Sequence, residues 1–322
     1  MHLSRRFSNT DRVLQIGQIG HGRWGKNIAQ TLIEDIGGVH VRIATTPAQT
    51  KRLLKEPLDA VIIATPGSTH AKIALPFIKR GIPTYIEKPL ATSLSDAKQL
   101  QQAAKNSGAS IFVGHIHLYN PAYLKAKELA AKAGRIHTLY LEGMNNGPIR
   151  DDMSALWDWS PHDVSMAIDL LGKQPTKVQA WGHKVLRPRT DLYDMVHLKL
   201  SFGKAATAYI TNGWLSARKF RWANFIGTKD TIIFDDLADK KVALYKGVGP
   251  RVTGAKATER QPTISYPRYS NKSPLEIELR AFLRSVKAGE QPATDIKHAM
   301  QVMTILDAAE RSMKLDGKLI TI

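Results

Sequence analysis

The 322-residue chain contains no cysteine. This absence excludes disulfide bonds, thiolate metal sites and a thiol nucleophile, and it leaves secretion neither required nor excluded by redox chemistry. Long apolar runs are also missing, since no stretch approaches the roughly 20 residues that cross a bilayer. Zinc-finger spacing, RNP-like aromatic strands and helices of consecutive arginines are absent too. We therefore expect no membrane contact and no nucleic-acid partner, and we interpret the protein as cytoplasmic.

Acidic side chains are few compared with basic ones. The chain has 28 Asp and Glu against 46 Lys and Arg, which gives a formal net charge of +18. The basic residues are scattered through every region, and such a field attracts anions. Two interpretations stay open: ordinary solvated surface charge, or a small substrate that carries phosphate. Segment 1–11 contains an Arg-Arg pair, but no apolar stretch or cleavage site follows, so we interpret it as a disordered leader.

The first third of the chain alternates strand-like runs with helical patterns. The runs RVLQIGQIG, GVHVRIATT, DAVIIATP, TYIEKPL and SIFVGH are predicted strands, and a helix is predicted from Ser95 to about Ser107, ended by Gly108. Strand and helix in alternation predict a doubly wound parallel sheet. Only about a dozen residues separate the second strand from DAVIIATP, which is short for a full helix and strand.

The pattern changes after Tyr119. Long strand-like runs such as MVHLKLSF, ATAYITNGWL and TIIFDD predict an open, mostly antiparallel sheet, and two amphipathic helices close the chain. The length is about twice that of a typical domain. We therefore predict two domains, an α/β domain at 1–118 and an α+β domain at 119–322.

The spacing Gly20-x-Gly22-x-x-Gly25 follows the first predicted strand and leads into a helix. The first glycine allows a tight turn, the second lets the backbone approach a phosphate, and the third lets helix pack on strand. Backbone N–H groups and the positive end of the helix then face the anion. A glycine-rich turn without a ligand would give the same spacing, but the setting favours a dinucleotide.

The end of the second strand bears on which dinucleotide binds. NAD-selective sites carry an acidic residue there that binds the ribose 2′-hydroxyl. Here Thr45 and Thr46 stand in that region and Lys51 and Arg52 follow, without an acid. Hydroxyls and cations suit a 2′-phosphate, so we predict NADP or NAD with NADP slightly favoured. The shortened segment that follows could shift the position of the ribose.

Four motifs in this order resemble the glucose-fructose oxidoreductase / inositol dehydrogenase (Gfo/Idh/MocA) family: GHGRWGKN, ATPGSTH, EKP and WDWSPHD. The resemblance implies an NAD(P)-dependent oxidoreductase acting on a secondary hydroxyl or ketone of a sugar. It also implies a Rossmann domain and a second domain whose open sheet serves oligomerisation, so a homodimer or homotetramer is expected. The predicted cofactor-binding residues are Gly20, Gly22, Arg23, Trp24, Gly25, Thr45, Thr46, Thr65, Pro66, His70, Glu87 and Lys88.

The same resemblance implies three catalytic residues, Lys88, Asp158 and His162. Their chemistry suits alcohol oxidation, because histidine titrates near neutrality and can take the hydroxyl proton. Lys88 can stabilise a developing alkoxide, and Pro89 would restrain its backbone. Asp158 lies four residues before His162, on one face of a helical turn, where it could orient the imidazole or bind a sugar hydroxyl. Asp163 points off that face and is interpreted as a supporting or capping group.

Further candidates concern the substrate. His115 and Asn120 in GHIHLYNP match positions near the family's active site. NGWLSARKFRWANFIG, followed by FDD, resembles the family branch that acts on nucleotide-linked sugars and suggests Trp214, Lys219 and Arg221 beside the site. The alternative for this stretch is an exposed edge strand with solvated cations.

Two wider questions stay open at this level. No His, Asp and Glu cluster has metal-ligand spacing, so we predict no metal. The alternative to an enzyme is a non-enzymatic dinucleotide- or sugar-binding regulator on the same fold.

Overall fold

The computed structural model describes residues 12–247, 252–253, 256–257, 261–289 and 292–322. The predicted leader at 1–11 lies outside the described residues. The described strands form a five-stranded sheet, a nine-stranded sheet and a two-stranded hairpin. None of the helices in these parts of the chain is long and apolar enough to cross a bilayer.

The first sheet is wholly parallel, with strand order β2-β1-β3-β4-β5. The strands at 60–63, 84–87 and 111–114 are short and buried along their whole length, as expected of a sheet covered on both faces. This confirms the predicted α/β part with its doubly wound parallel sheet. The strands are β1 (Leu14–Ile19), β2 (Val39–Ala44), β3 (Ala60–Ile63), β4 (Thr84–Glu87) and β5 (Ile111–Gly114).

Helices connect these strands. They are α1 (Arg23–Gln30), continued by a π-helical turn at Thr31–Ile36, then α2 (Pro47–Leu53), α3 (His70–Lys79) and α4 (Leu94–Ser107). The predicted end of α4 is confirmed, because Gly108 has the left-handed φ of 75° that favours glycine. The short segment before β3 holds the seven-residue α2 and no strand, so the chain runs directly from α2 to β3.

The second sheet has strand order β15-β12-β11-β10-β6-β9-β8-β7-β16. Only β6 and β9 pair in parallel, so the prediction of a mostly antiparallel sheet is confirmed. The two-residue strands β13 (Val252–Thr253) and β14 (Lys256–Ala257) form the separate hairpin. The sheet strands are β6 (Ile136–Met144), β7 (Lys177–His183), β8 (Met195–Ser201), β9 (Thr207–Gly213), β10 (Phe220–Gly227), β11 (Asp230–Asp235), β12 (Val242–Lys246), β15 (Thr263–Ser265) and β16 (Ile320–Thr321).

The remaining helices cover both sheets. They are α5 (Pro121–Ala130), α6 (Ala155–Asp158), α7 (Ser160–Leu171), α8 (Pro274–Ala288) and α9 (Ile296–Lys314). Late in the chain, α8 packs on the first sheet, where Leu279 and Phe282 join a buried cluster with Tyr85 and Phe112. Residues of the C-terminal half therefore lie directly against β4. The domain division at 118/119 stays a prediction.

Candidate functional site

The glycine turn after β1 has the shape that a dinucleotide phosphate needs. A side chain on Gly20, whose φ is 94°, would meet the carbonyl oxygen of Ala64, and one on Gly25 would meet that of Gly20. At Gly22 nothing lies within 4 Å of where a Cβ would stand, so backbone is open to a ligand there. Gln18 Nε2 holds the turn by donating to the carbonyl oxygens of Gly20 and Gly25. These residues fit a bound pyrophosphate.

A cleft of about 800 Å³ extends from this turn to the second sheet. Most of the predicted site residues line it: Gly20, Gly22, Arg23, Trp24, Thr45, Thr65, Pro66, Glu87, Lys88, Asn120, Asp158, His162, Trp214 and Arg221. Five predicted residues do not line it: Gly25, Thr46, His70, His115 and Lys219. The structure thus brings the predicted cofactor, catalytic and substrate residues into one space.

His70 and Thr46 serve the loops around the cleft. The two ring nitrogens of the buried His70 lie 2.8 Å from the carbonyl oxygen of Pro89 and 2.9 Å from that of Thr65, which joins two loops that border the cleft. Burial lowers the pKa of His70. Thr46 caps α2 by accepting a hydrogen bond from the backbone N–H of Gln49.

Near the end of β2, Thr45 lines the cleft and donates its hydroxyl to Gln49 Oε1 at 3.0 Å. The acidic side chains that line the cleft are bonded elsewhere: Glu87 to Trp24, Asp158 to Lys88, and Asp236 to Asn120 and Lys241. Among the described residues of the cleft, no carboxylate therefore stands beside Thr45.

Lys88, which follows β4, forms an ion pair with Asp158 at the end of α6. Its Nζ lies 3.0 Å from Asp158 Oδ1 and also donates to the backbone carbonyl of Asp158. Trp214 Nε1 donates to the other carboxylate oxygen at 3.3 Å. Burial alone would raise the pKa of Asp158, but the Lys88 ammonium outweighs it and lowers that pKa. An ammonium carries three N–H donors, so one is left for a ligand in the cleft.

Asp158 does not hydrogen-bond to His162. Of the two roles left open by the sequence, orienting the imidazole therefore has no support in these contacts, since the carboxylate is held by Lys88 and Trp214. His162, at the start of α7, packs its ring edge-on against His117 with centroids 4.8 Å apart. Burial, Lys88 and His117 together lower the pKa of His162 well below its ordinary value. The imidazole is therefore neutral at physiological pH and able to accept a proton.

Arg221 lies beside this histidine and not at the outer rim. It belongs to β10, which pairs with β6 and β11 inside the sheet, so the alternative of an exposed edge strand is wrong. Its guanidinium stands over the Trp159 ring at 5.4 Å, and within the described part of the chain its buried Nε has no hydrogen-bond partner. Lys219 is exposed and precedes β10, and Trp214 is buried behind Asp158.

Asp163 is buried near His162 and Arg221. Asn212 Nδ2 donates to its carboxylate at 2.5 Å, and burial raises the pKa of Asp163 to about 7. This agrees with its interpretation as a supporting group, since it does not line the main cleft.

Several cleft residues escaped the sequence analysis, above all His117, Arg150 and Asp236. His117 lies in a 3₁₀ turn, and burial together with Arg221 lowers the pKa of His117 to about 4. The predicted His115 instead packs against His298, with ring centroids 5.2 Å apart. Both histidines occur in GHIHLYNP, and only the turn geometry decides which one faces the cleft.

Comparison with known families agrees with this architecture. Residues 38–115 match the family model described as "Oxidoreductase family, NAD-binding Rossmann fold". Residues 149–320 match the model described as "Oxidoreductase family, C-terminal alpha/beta domain". Together the two matches cover most of the chain, although the glycine turn precedes the first matched residue.

Individual relatives include two dehydrogenases. Myo-inositol 2-dehydrogenase of Thermotoga maritima is 24% identical over 330 residues, covering 94% of this chain and 96% of that protein. UDP-N-acetylglucosamine 3-dehydrogenase of Acidithiobacillus ferrooxidans is 27% identical over 195 residues, covering 56% and 61%. Among solved structures, GenD2 from gentamicin A biosynthesis, in complex with NAD, has a TM-score of 0.80 at 25% identity and covers 100% of this chain and 99% of its own.

Proposed function

The chain belongs to the Gfo/Idh/MocA oxidoreductase family, and from this premise we propose that it transfers a hydride between a nicotinamide dinucleotide and a secondary hydroxyl or ketone of a sugar. The observation that carries the proposal is the meeting of Lys88, Asp158 and His162 in the cleft that begins at the glycine turn. A regulator that only binds a dinucleotide or a sugar has no use for a neutral imidazole beside a charged lysine. The enzyme is therefore the better reading of this site.

Each of the three residues has a distinct part in such a reaction. A bound dinucleotide supplies the hydride acceptor or donor. The remaining N–H of the Lys88 ammonium binds the substrate oxygen and stabilises the negative charge that develops on it. Asp158 accepts a hydrogen bond from that ammonium and so fixes its direction. His162, neutral in the folded protein, accepts the hydroxyl proton during oxidation and returns it during reduction.

We propose further that the sugar is linked to a nucleotide. Arg23, Arg150 and Arg221 all line the cleft, and among the described residues none of them forms an ion pair with a carboxylate. The cleft thus has more positive charge than its own acids neutralise, which favours a phosphate-bearing substrate. The relative that acts on UDP-N-acetylglucosamine supports the same substrate class.

The positions of the arginines suggest that they contact different parts of the substrate. Arg221 stands beside His162 and Trp159, so it would contact substituents of the reacting sugar ring. Arg150 is exposed and would meet the diphosphate, for which the planar guanidinium fork is well suited. For the cofactor, the absence of a carboxylate beside Thr45 supports NADP at least as well as NAD. The oligomeric state stays a prediction.

The substrate proposal is tested by following cofactor reduction with UDP- and dTDP-linked hexoses against the matching free hexoses. We expect higher kcat/KM for the linked sugars, with a KM that rises as salt shortens the Debye length from about 10 Å at 0.1 M to about 3 Å at 1 M. Arg150→Ala should raise that KM, and the exposed Arg218→Ala serves as the matched control. Faster turnover of free hexoses, with Arg150→Ala silent, would remove the nucleotide from the proposal.

A further inference from the structure

Behind the cleft, the buried side chains of Glu87, Tyr85 and Glu278 form a hydrogen-bonded chain. The Tyr85 hydroxyl lies 2.8 Å from Glu87 Oε1 and 3.1 Å from Glu278 Oε2. Glu278 lies on α8 and is fully buried, and Glu87, at the end of β4, is 9% exposed. This hydrogen-bonded chain therefore links a helix late in the sequence to the strand that leads into Lys88.

Room for this chain is made by Gly114 on the neighbouring strand β5. A Cβ at Gly114 would stand 2.5 Å from the Tyr85 hydroxyl oxygen and 3.0 Å from Glu87 Oε1, so a larger residue would displace both groups. The phenol ring itself is fixed by Phe112 and Phe282, with ring centroids 5.3 Å and 5.6 Å away. The hydroxyl is thus held between the two carboxyl groups.

The number of hydrogen-bond donors indicates which of the two carboxyl groups is ionised. The Tyr85 hydroxyl has one hydrogen to donate, so it cannot bond to two ionised carboxylates at once. Glu87 accepts three hydrogen bonds, from Tyr85, from Trp24 Nε1 at 2.6 Å and from the Lys88 backbone N–H at 3.3 Å. Such an acceptor set stabilises an ionised carboxylate. Glu278 has no other hydrogen-bond partner among the described residues, so it is the group that carries a proton and donates it to the phenol oxygen.

At its Glu87 end, the hydrogen-bonded chain reaches the candidate site. Trp24 lies in the glycine turn and lines the cleft, and Lys88 lines it too. Because both are bonded to Glu87, that carboxylate fixes the indole of the cofactor turn relative to the catalytic lysine.

We propose that Glu278 is a positioning residue: as a neutral acid it orients Tyr85, which orients the Glu87 carboxylate, which in turn holds the Trp24 indole and the backbone at Lys88 in place for dinucleotide binding. The inference rests on the proposed function for its effect on the cofactor, but the proton on Glu278 is independent of it. Burial raises the pKa of both carboxyl groups. Hydrogen bonds from Trp24 and Tyr85 and the charge of Lys88 counter this rise at Glu87, whereas at Glu278 burial and the adjacent Glu87 charge raise the pKa well above its usual range. The other titratable groups that face it are Tyr85 and Tyr119.

The experiment compares Glu278→Gln with Glu278→Leu. A glutamine amide can donate to the phenol oxygen as the neutral acid does, whereas leucine cannot. We expect Glu278→Gln to bind NADPH or NADH as the wild type does, and Glu278→Leu to bind roughly tenfold more weakly, the effect of one lost hydrogen bond. Binding is measured by cofactor fluorescence titration on variants whose thermal unfolding shows them to be folded.

Infrared spectroscopy tests the proton directly. The protonated-carboxyl band of the wild type should lose intensity in Glu278→Gln at neutral pH. An unchanged band would overturn the proposal, and so would a folded glutamine variant that binds as weakly as the leucine variant. If the wild type bound dinucleotide but turned over no sugar, the proposed function would fail. The fluorescence titration and the infrared band would still test the role of Glu278.

Discussion

Lys88 Nζ lies 3.0 Å from Asp158 Oδ1, although the two residues are 70 positions apart in the sequence. Lys88 follows a strand of the parallel sheet, and Asp158 ends a short helix beside the second sheet. Their side chains are only 19% and 14% exposed, so removing either partner would leave a largely buried charge without its counterion. The pair therefore fixes the ammonium at the junction where the cofactor and the substrate would meet.

The acid limb of the pH profile should respond to Arg221. Burial comes first among the causes that lower the pKa of His162, and Arg221 is one of the nearby cations that lower it further. Replacing that cation by a neutral side chain removes repulsion toward the imidazolium, so the pKa of His162 rises. In Arg221→Gln, the pH below which kcat for alcohol oxidation falls should therefore move upward, as measured at saturating substrate. Arg218→Gln should leave the limb unchanged, and an unshifted limb in Arg221→Gln would contradict the role of His162 as the base.

Cofactor preference should change with Thr45. A carboxylate introduced there would repel the 2′-phosphate of NADP(H) and could accept a hydrogen bond from the ribose hydroxyl of NAD(H). We expect Thr45→Asp to weaken NADPH binding more than NADH binding, as measured by fluorescence titration, with Thr45→Asn as the uncharged control. The wild type should bind NADPH at least as well as NADH. If it binds NADH tenfold or more tightly, the cofactor proposal fails.

Stability should depend on the protonation of Asp163. Its pKa is raised to about 7 in the folded protein, against about 3.9 for an unfolded chain. Between those values the folded state holds a proton that the unfolded state has lost, so this group's contribution to the free energy of unfolding falls as pH rises from about 4 to about 7. About three pH units correspond to roughly 4 kcal/mol.

Asp163→Asn removes that dependence. The free energy of unfolding of the variant, relative to the wild type, should increase with pH across this window and level off above it, as measured by denaturant titration at several pH values. Asp191→Asn, at an exposed position, serves as the control. A difference that stays constant from pH 4 to pH 8 would show that Asp163 is already ionised in the folded protein.

The parts of the fold set by local patterns could be predicted from the sequence. The glycine spacing, the apolar β3, β4 and β5, and the helix ended by Gly108 all depend on neighbouring residues, and the structure confirms them. The sequence also shows that the segment before β3 is short for a full helix and strand, and the structure has only the seven-residue α2 there. Likewise, each of the four motifs supplies residues that line the cleft.

Long-range packing explains what could not be predicted. The position of β10 inside the sheet depends on pairing with β6, far away in sequence, and this turns Arg221 toward His162 while Lys219 stays outside the strand. His117 lines the cleft, whereas His115 does not, because the chain forms a 3₁₀ turn directly after β5 and does not continue as a strand. The packing of α8 on β4, which buries Glu278 against Tyr85, likewise leaves no local signal.

The central claim is that Lys88 and His162 carry out the chemistry, and paired turnover and binding measurements on three alanine variants test it most directly. His162→Ala and Lys88→Ala should each lower kcat for sugar-dependent cofactor reduction by roughly a hundredfold or more, the scale of losing an acid/base or oxyanion-stabilising group. Both should still bind the dinucleotide, and Lys79→Ala, at an exposed position on α3, should behave as the wild type. Near-wild-type turnover in either of the first two variants would contradict the account.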